Sequence, residues 1–225
     1  MLFSLQCYFK EFKNAMNRLY NILMSSKSLS FFALLVLVLG QLHAQRKHNE
    51  EERFYVDNGS FEGIPHDAVN VDGWISCGYN STPDLLPGPW GVYQKPTDGN
   101  TFLGLIARED NTYEMISSKL KKPLKKEHCY SFKVDLSRSP AYAGYSGATC
   151  LRVWGASSPC EKRQLLATSP VIEHYEWKTY NFSFFTKHSY PYIIIECYYK
   201  TPTLLPYRGN LLIDSFFYFD SCERA

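Results

Sequence analysis

The chain reads as an all-β protein, a single β-sandwich of jelly-roll type. Three observations predict this. Apolar and polar residues alternate at period two in several short runs. Turn residues separate those runs at short spacing. No stretch carries the apolar i, i+3, i+4 pattern of a long amphipathic helix. The composition agrees, with 45% hydrophobic and 16% aromatic residues among 225, including 17 Tyr and 15 Phe. Such values exclude intrinsic disorder, and ordinary Gly (13) and Pro (12) contents exclude a collagen-like chain. A net charge of +2 gives no electrostatic footprint for nucleic acid, and no nucleic-acid partner is expected.

The N-terminus is a separate matter. Lys27 precedes the uncharged apolar run Ser30 to Leu39, and Leu42-His43-Ala44 ends on a small residue. Basic, apolar and small-residue segments in that order are the pattern of a secretory signal peptide. The run is shorter than the ~20 residues that span a bilayer. Residues 1–44 are therefore expected to be an export signal. Membrane contact is expected only through this segment if it stays uncleaved. Met24 would open a compact signal, so translation is expected to start there. The first 44 residues hold four of the 24 basic side chains and one of the 22 acidic ones, so the remainder has net charge −1. Residues 45–53 are polar and charged and read as a flexible lead-in to one domain over 54–225.

Strands are expected at Phe102–Ala107, Tyr113–Leu120, Tyr130–Leu136, Thr149–Gly155, Lys178–Phe184, Tyr192–Tyr199 and Leu211–Phe219. About nine short strands in all suit one sandwich. Pro87-Gly88-Pro89, Asp98-Gly99-Asn100, Ser139-Pro140 and Arg208-Gly209-Asn210 are expected turns. Lys119 to Lys126 carries five lysines and reads as a solvated strand edge and turn.

Beyond Ala44 six cysteines remain: Cys77, Cys129, Cys150, Cys160, Cys197 and Cys222. An even count behind a signal predicts disulfides and an oxidising compartment. Six cysteines allow 15 connectivities, and sequence does not choose among them. The expected location is the periplasm, the outer cell surface or the medium.

Catalytic motifs are absent. Gly144-Tyr145-Ser146-Gly147-Ala148 approaches a nucleophile elbow but ends in Ala and sits in a loop. No His-Glu-x-x-His or phosphate loop occurs. Asp84, Glu109 and Glu114 are carboxylates that a glycosidase would have to pair, and nothing in the sequence pairs them. Asn58, Asn80 and Asn181 each open a glycosylation sequon.

Asn58-Gly59-Ser60-Phe61-Glu62, Asp72-Gly73-Trp74 and Leu211-Leu212-Ile213-Asp214 resemble the opening and closing segments of galactose-binding-like jelly rolls, including many carbohydrate-binding modules. The resemblance implies a structural Ca²⁺ held by Glu62 and Asp214, with Asp98 and Asn100 adding oxygens. Hard oxygen ligands are what that ion takes. Thr82–Gly88, Gly99–Leu105, Leu151–Gly155 and Gly209–Asp214 resemble exported envelope-associated domains of Bacteroidota. Longer members of that group carry peptidoglycan-binding or secretion domains, which are not expected with a chain end at Ala225. The partner implied is carbohydrate or envelope glycan; the alternative is a protein partner in a secretion or gliding assembly.

Two loops mix aromatic and polar side chains, as sugar recognition requires. One offers Tyr79, Asp84, Trp90 and Tyr93. The other offers Arg138, Tyr142 and Tyr145, with Tyr142 and Tyr145 expected to be exposed. Trp74, Trp154 and Trp177 are expected in the core.

Overall fold

The computed structural model describes residues 13–17, 34–43, 53–78, 80–199 and 207–222. The chain divides into two units, Met1–Glu52 and Arg53–Ala225. In the first, the described residues are helical at 13–17 and 34–43, and exposed. No helix among the described residues is long and apolar enough to cross a membrane. Met24, Ala44 and the lead-in over 45–52 lie outside the described residues. Arg53 belongs with the second unit, because its Nε bonds Asp220 at 3.1 Å and its guanidinium stacks on Tyr218.

The second unit is a two-sheet sandwich. The larger sheet holds β1 (Phe54–Tyr55), β3 (Asp84–Leu86), β4 (Phe102–Ala107), β6 (Cys129–Ser137), β7 (Gly147–Ala148), β10 (Lys178–Phe185), β12 (Gly209–Asp214) and β13 (Tyr218–Cys222). Its order is β1-β13-β6-β12-β4-β3, with β10 on β6 and β7 on β12. The smaller sheet holds β2 (Trp74–Cys77), β5 (Met115–Leu124), β8 (Cys150–Ala156), β9 (Lys162–Thr168) and β11 (Tyr190–Tyr198), in the order β2-β5-β11-β8-β9. All strand pairs are antiparallel except β7–β12.

Alternation places the core. Phe132, Val134 and Leu136 of β6 point between the sheets with Leu103 and Leu105 of β4 and Ile193 and Ile195 of β11. Phe132 sits among rings, 5.1 Å from Phe182, 5.2 Å from Phe216 and 5.4 Å from Phe219. Such aromatic pairs add directional packing to the burial of apolar area. Much of the aromatic content is therefore core.

A second apolar cluster lies on the outer face of the larger sheet. Phe102 and Ile106, the other face of β4, and Leu212 of β12 pack there against Leu86, Val92 and Tyr142. The loops after β3 and β6 thus fold back over this face.

Two expectations are corrected. Leu211–Phe219 is not one strand, because Ser215 adopts φ 58° and bends the chain between β12 and β13. Gly209 and Asn210 open β12 rather than forming a turn. A Cβ on Gly209 would come within 2.5 Å of Thr149 and 2.7 Å of the Gly147 carbonyl oxygen, so glycine is needed there for strand packing.

Two disulfides are described, Cys77–Cys160 and Cys129–Cys222, and Cys150 and Cys197 are buried. Burial pushes the Cys197 thiol pKa upward, so it is held protonated and unreactive.

Candidate functional site

The covering loops enclose a cavity of about 220 Å³ at the rim of the second cluster. Asp84, Trp90, Tyr142 and Tyr145, four of the residues singled out in the sequence, line it together. Thr82, Ile106 and Arg108 complete the polar and apolar walls.

Asp84 opens β3 and is buried. Its Oδ1 accepts the Ala68 N–H at 2.8 Å, and its Oδ2 accepts the Tyr142 hydroxyl. Burial raises the Asp84 pKa, opposed by hydrogen bonds from Tyr142, Ala68 and Trp90. Tyr142 is only 2% exposed, which corrects the expectation that it projects from its loop. The reason is Gly104 on β4: a Cβ there would strike the Tyr142 hydroxyl, so glycine leaves the ring its place against the sheet. Tyr145 is half-buried beside it.

Trp90 stands at the mouth, 47% exposed, in a left-handed conformation (φ 57°) within the Pro87 to Gly91 turn. A bulky residue at positive φ is strained, and such strain clusters at functional sites. Tyr93 is 79% exposed but does not line the cavity. Arg138 is a brace rather than a lining residue. Its Nη1 donates to the Ser146 carbonyl at 2.6 Å, Nε to the Glu173 carbonyl at 3.0 Å, and Nη2 to the Tyr175 hydroxyl at 3.1 Å. Tyr79 lies outside the described residues.

Three supporting residues were not singled out as such. Asn210, read as a turn residue, is buried and pins the second loop. It accepts the Ser139 N–H at 2.8 Å and donates to the carbonyls of Ser139 at 2.8 Å and Tyr145 at 2.5 Å. Glu114, weighed only as an acid, is fully buried. Its Oε1 accepts Arg108 Nη2 at 2.6 Å, the Thr82 hydroxyl at 2.9 Å and the Thr82 N–H at 3.1 Å; its Oε2 accepts the Ile106 N–H at 3.0 Å. Desolvation pushes Glu114 up to about 7 against those donors and the Arg108 charge. Arg108 also donates to the Asn80 carbonyl at 3.0 Å, and its buried Nη1 has no hydrogen-bond partner among the described residues. All four donors to Glu114 belong to three residues that line the cavity, so this carboxylate positions its wall.

The cation candidates gather around the Thr97–Thr101 loop. Asp214 Oδ2 accepts the N–H groups of Thr97 at 2.8 Å and Asp98 at 3.1 Å. Glu62 Oε1 accepts the N–H groups of Asn100 at 2.9 Å and Thr101 at 3.3 Å. Asp98 Oδ2 accepts the Ser60 hydroxyl at 2.6 Å. The carboxylates thus clasp the loop through hydrogen bonds, and among the described residues no three His, Cys, Asp or Glu side chains are grouped as a metal site.

The other tryptophans divide. Trp74 is core. Trp177 is half-buried and packs edge-on against Phe102 in the outer cluster. Trp154 sits on the outer face of the smaller sheet, with Nε1 donating to Glu196 at 2.9 Å.

No family model matches the chain, and no curated protein matches it. Solved structures are similar at low identity. The CBM22-1–GH10 modules of xylanase 10B from Clostridium thermocellum, complexed with xylohexaose, share 15% identity over 76% of this chain and 29% of that one, with a TM-score of 0.47. The family 11 carbohydrate-binding module of Clostridium thermocellum shares 12% identity over 76% of this chain and 98% of that one, also at 0.47. The K3 adhesin domain of Lys-gingipain from Porphyromonas gingivalis shares 11% identity over 74% and 99%, at 0.45.

Proposed function

We propose that the chain is an exported, non-catalytic module that binds carbohydrate, free or in the cell envelope, at the loop cavity. One observation carries this reading: Trp90, Tyr145, Asp84, Thr82 and Arg108 meet in one concave site, although they come from separate loops and strands. An exposed indole offers a platform for the C–H face of a sugar ring, and nearby polar groups orient its hydroxyls. Two disulfides support export to an oxidising compartment. Glu114 is held by Arg108, Thr82 and Ile106, which supports a role in building the cavity wall.

A broad glycan array tests the reading. Binding to at least one glycan class is expected, and Trp90→Ala should weaken it at least tenfold with an unchanged melting temperature. No binding across the array, together with a protein partner recovered at fixed stoichiometry from envelope membranes, would replace it with the interaction-subunit reading.

A structural Ca²⁺ is a separate proposal. It would be held by Glu62, Asp98, Asn100 and Asp214, which gather at the Thr97–Thr101 loop. A ligand bound only to the folded state stabilises it by mass action. Stripping Ca²⁺-loaded protein with a strong chelator should therefore lower the melting temperature, and an unchanged melt removes the ion from the account.

A further inference from the structure

Among the described residues, β10 is the edge of the sandwich that lacks protection. It pairs with β6 alone, over eight consecutive residues with no shift in register. Sheets ordinarily blunt their edges with short strands, bulges, charges, proline or a covering segment. The other edges follow that pattern. Strands β1 and β7 have two residues each, and β2 has four. The backbone of His66 covers β3, exchanging bonds with Leu85 in both directions. Strand β9 carries Lys162 and Arg163, with two register breaks against β8. By contrast, β10 has eight residues, one charge at Lys178 and no proline.

Hydrogen-bond alternation fixes which backbone groups of β10 face the open side. The Thr186 N–H donates to the His128 carbonyl at 3.0 Å, just past the end of the ladder. In an antiparallel pair, residues that exchange bonds recur at every second position. Counted back along the observed register, Phe184, Phe182, Tyr180 and Lys178 turn their N–H and C=O groups toward β6. Thr179, Asn181, Ser183 and Phe185 turn theirs away. The Phe185 carbonyl agrees with this count, since it accepts Nε2 of Gln164 from β9, at 2.7 Å. That bond closes one end of the edge. Thr179, Asn181 and Ser183, all exposed, leave three N–H and three C=O groups along the rest.

This stretch is its own complement. A second copy laid antiparallel about Asn181 sets Asn181 against Asn181, Thr179 against Ser183 and Tyr180 against Phe182. Every one of those N–H and C=O groups then has a partner. Thr–Ser pairs are favourable across strands, and no like charges meet, because Lys178 falls opposite Phe184. Tyr180 and Phe182 lie on the core side, 6.4 Å apart and stacked, yet each is only half-buried. The same two rings of a second copy would cover what they leave exposed. We propose that two copies of this chain associate through β10, about a two-fold axis at Asn181, so that their larger sheets become one.

Sedimentation equilibrium of the purified protein, from about 1 μM to about 1 mM, should show a monomer–dimer equilibrium. Asn181→Lys sets two like charges directly opposite each other and should raise the dimer Kd at least tenfold. Facing residues of a bonded antiparallel pair have Cα atoms ~5.5 Å apart, within reach of a disulfide. Asn181→Cys should therefore give a covalent dimer under mild oxidant. Thr179→Cys should not, because Thr179 faces Ser183 rather than itself. These side chains are exposed, and an unchanged melting temperature in dilute solution checks the fold of each variant. A monomer across the whole range would overturn the proposal. So would a dimer that Asn181→Lys leaves intact, or one that Thr179→Cys links as readily as Asn181→Cys.

Discussion

Replacing Cys129 and Cys222 together by alanine is expected to lower the melting temperature by roughly 10 °C or more. The bridge closes a loop with a sequence separation of 93 residues, and Cys77–Cys160 closes one of 83. Loop-closure entropy assigns each about 4.6 kcal/mol, with measured bridges ranging from near zero to about 5. In a domain of this size each kcal/mol moves the midpoint by about 2–4 °C. The positions explain why so much depends on them. Cys129 and Cys222 face each other at the ends of β6 and β13, so the bridge holds the last strand on the sheet. Cys77 ends edge strand β2, and Cys160 lies in the turn joining β8 to the opposite edge, β9, so the second bridge ties two sides of the smaller sheet. Calorimetry with and without reductant opens both bridges without mutation and should show a shift at least as large. A shift below about 3 °C in both experiments would mean that the core holds the fold without the bridges.

The long strands were legible because each shows one wet and one dry face. Tyr130 to Leu136 alternates, and β6 alternates in burial along the same residues. Strand β9 was missed for the converse reason. Lys162 to Thr168 lies at an edge with only Leu166 buried, so its pattern is weak. The cavity was legible in part for a similar reason. Gly and Pro mark both loops, and aromatic residues within loops call for an explanation. Their convergence was not legible, because it depends on distant partners. Tyr142 is buried by Gly104 and Asp84, and its loop is pinned by Asn210. Nothing within a local window shows that Arg108 and Glu114 will share a buried ion pair beside Thr82. The Glu62 and Asp214 segments were picked out by resemblance, and both do hold the Thr97–Thr101 loop, through N–H donors.

Glu114 should give the wild-type protein an unusual dependence of stability on pH. Its pKa rises from 4.5 to about 7 in the fold, with desolvation the largest cause. The folded state therefore binds this proton more tightly than the unfolded state does. The favourable contribution is complete below about pH 4.5 and is lost as pH rises through about 7. Over that window the loss is on the order of 3 kcal/mol, from ~1.4 kcal/mol per pH unit. Burial raises Asp84 and Asp214 as well, so they act with the same sign. Urea unfolding at pH 5 and pH 7.5 should thus show the wild type losing stability toward neutral pH. Glu114→Gln should flatten that slope, because the amide does not titrate. The substitution also turns one acceptor oxygen into a donor facing Arg108 and Thr82, so the variant should be less stable than wild type at both pH values. Glu114→Ala goes further: it strands the Arg108 charge beside the cavity, a change that costs about 3–5 kcal/mol when a buried pair loses one partner. Parallel slopes for wild type and Glu114→Gln would show that Glu114 does not titrate in this window. A flattened slope would tie the cavity wall to a group that changes charge near neutral pH, since Thr82, Ile106 and Arg108 all donate to it.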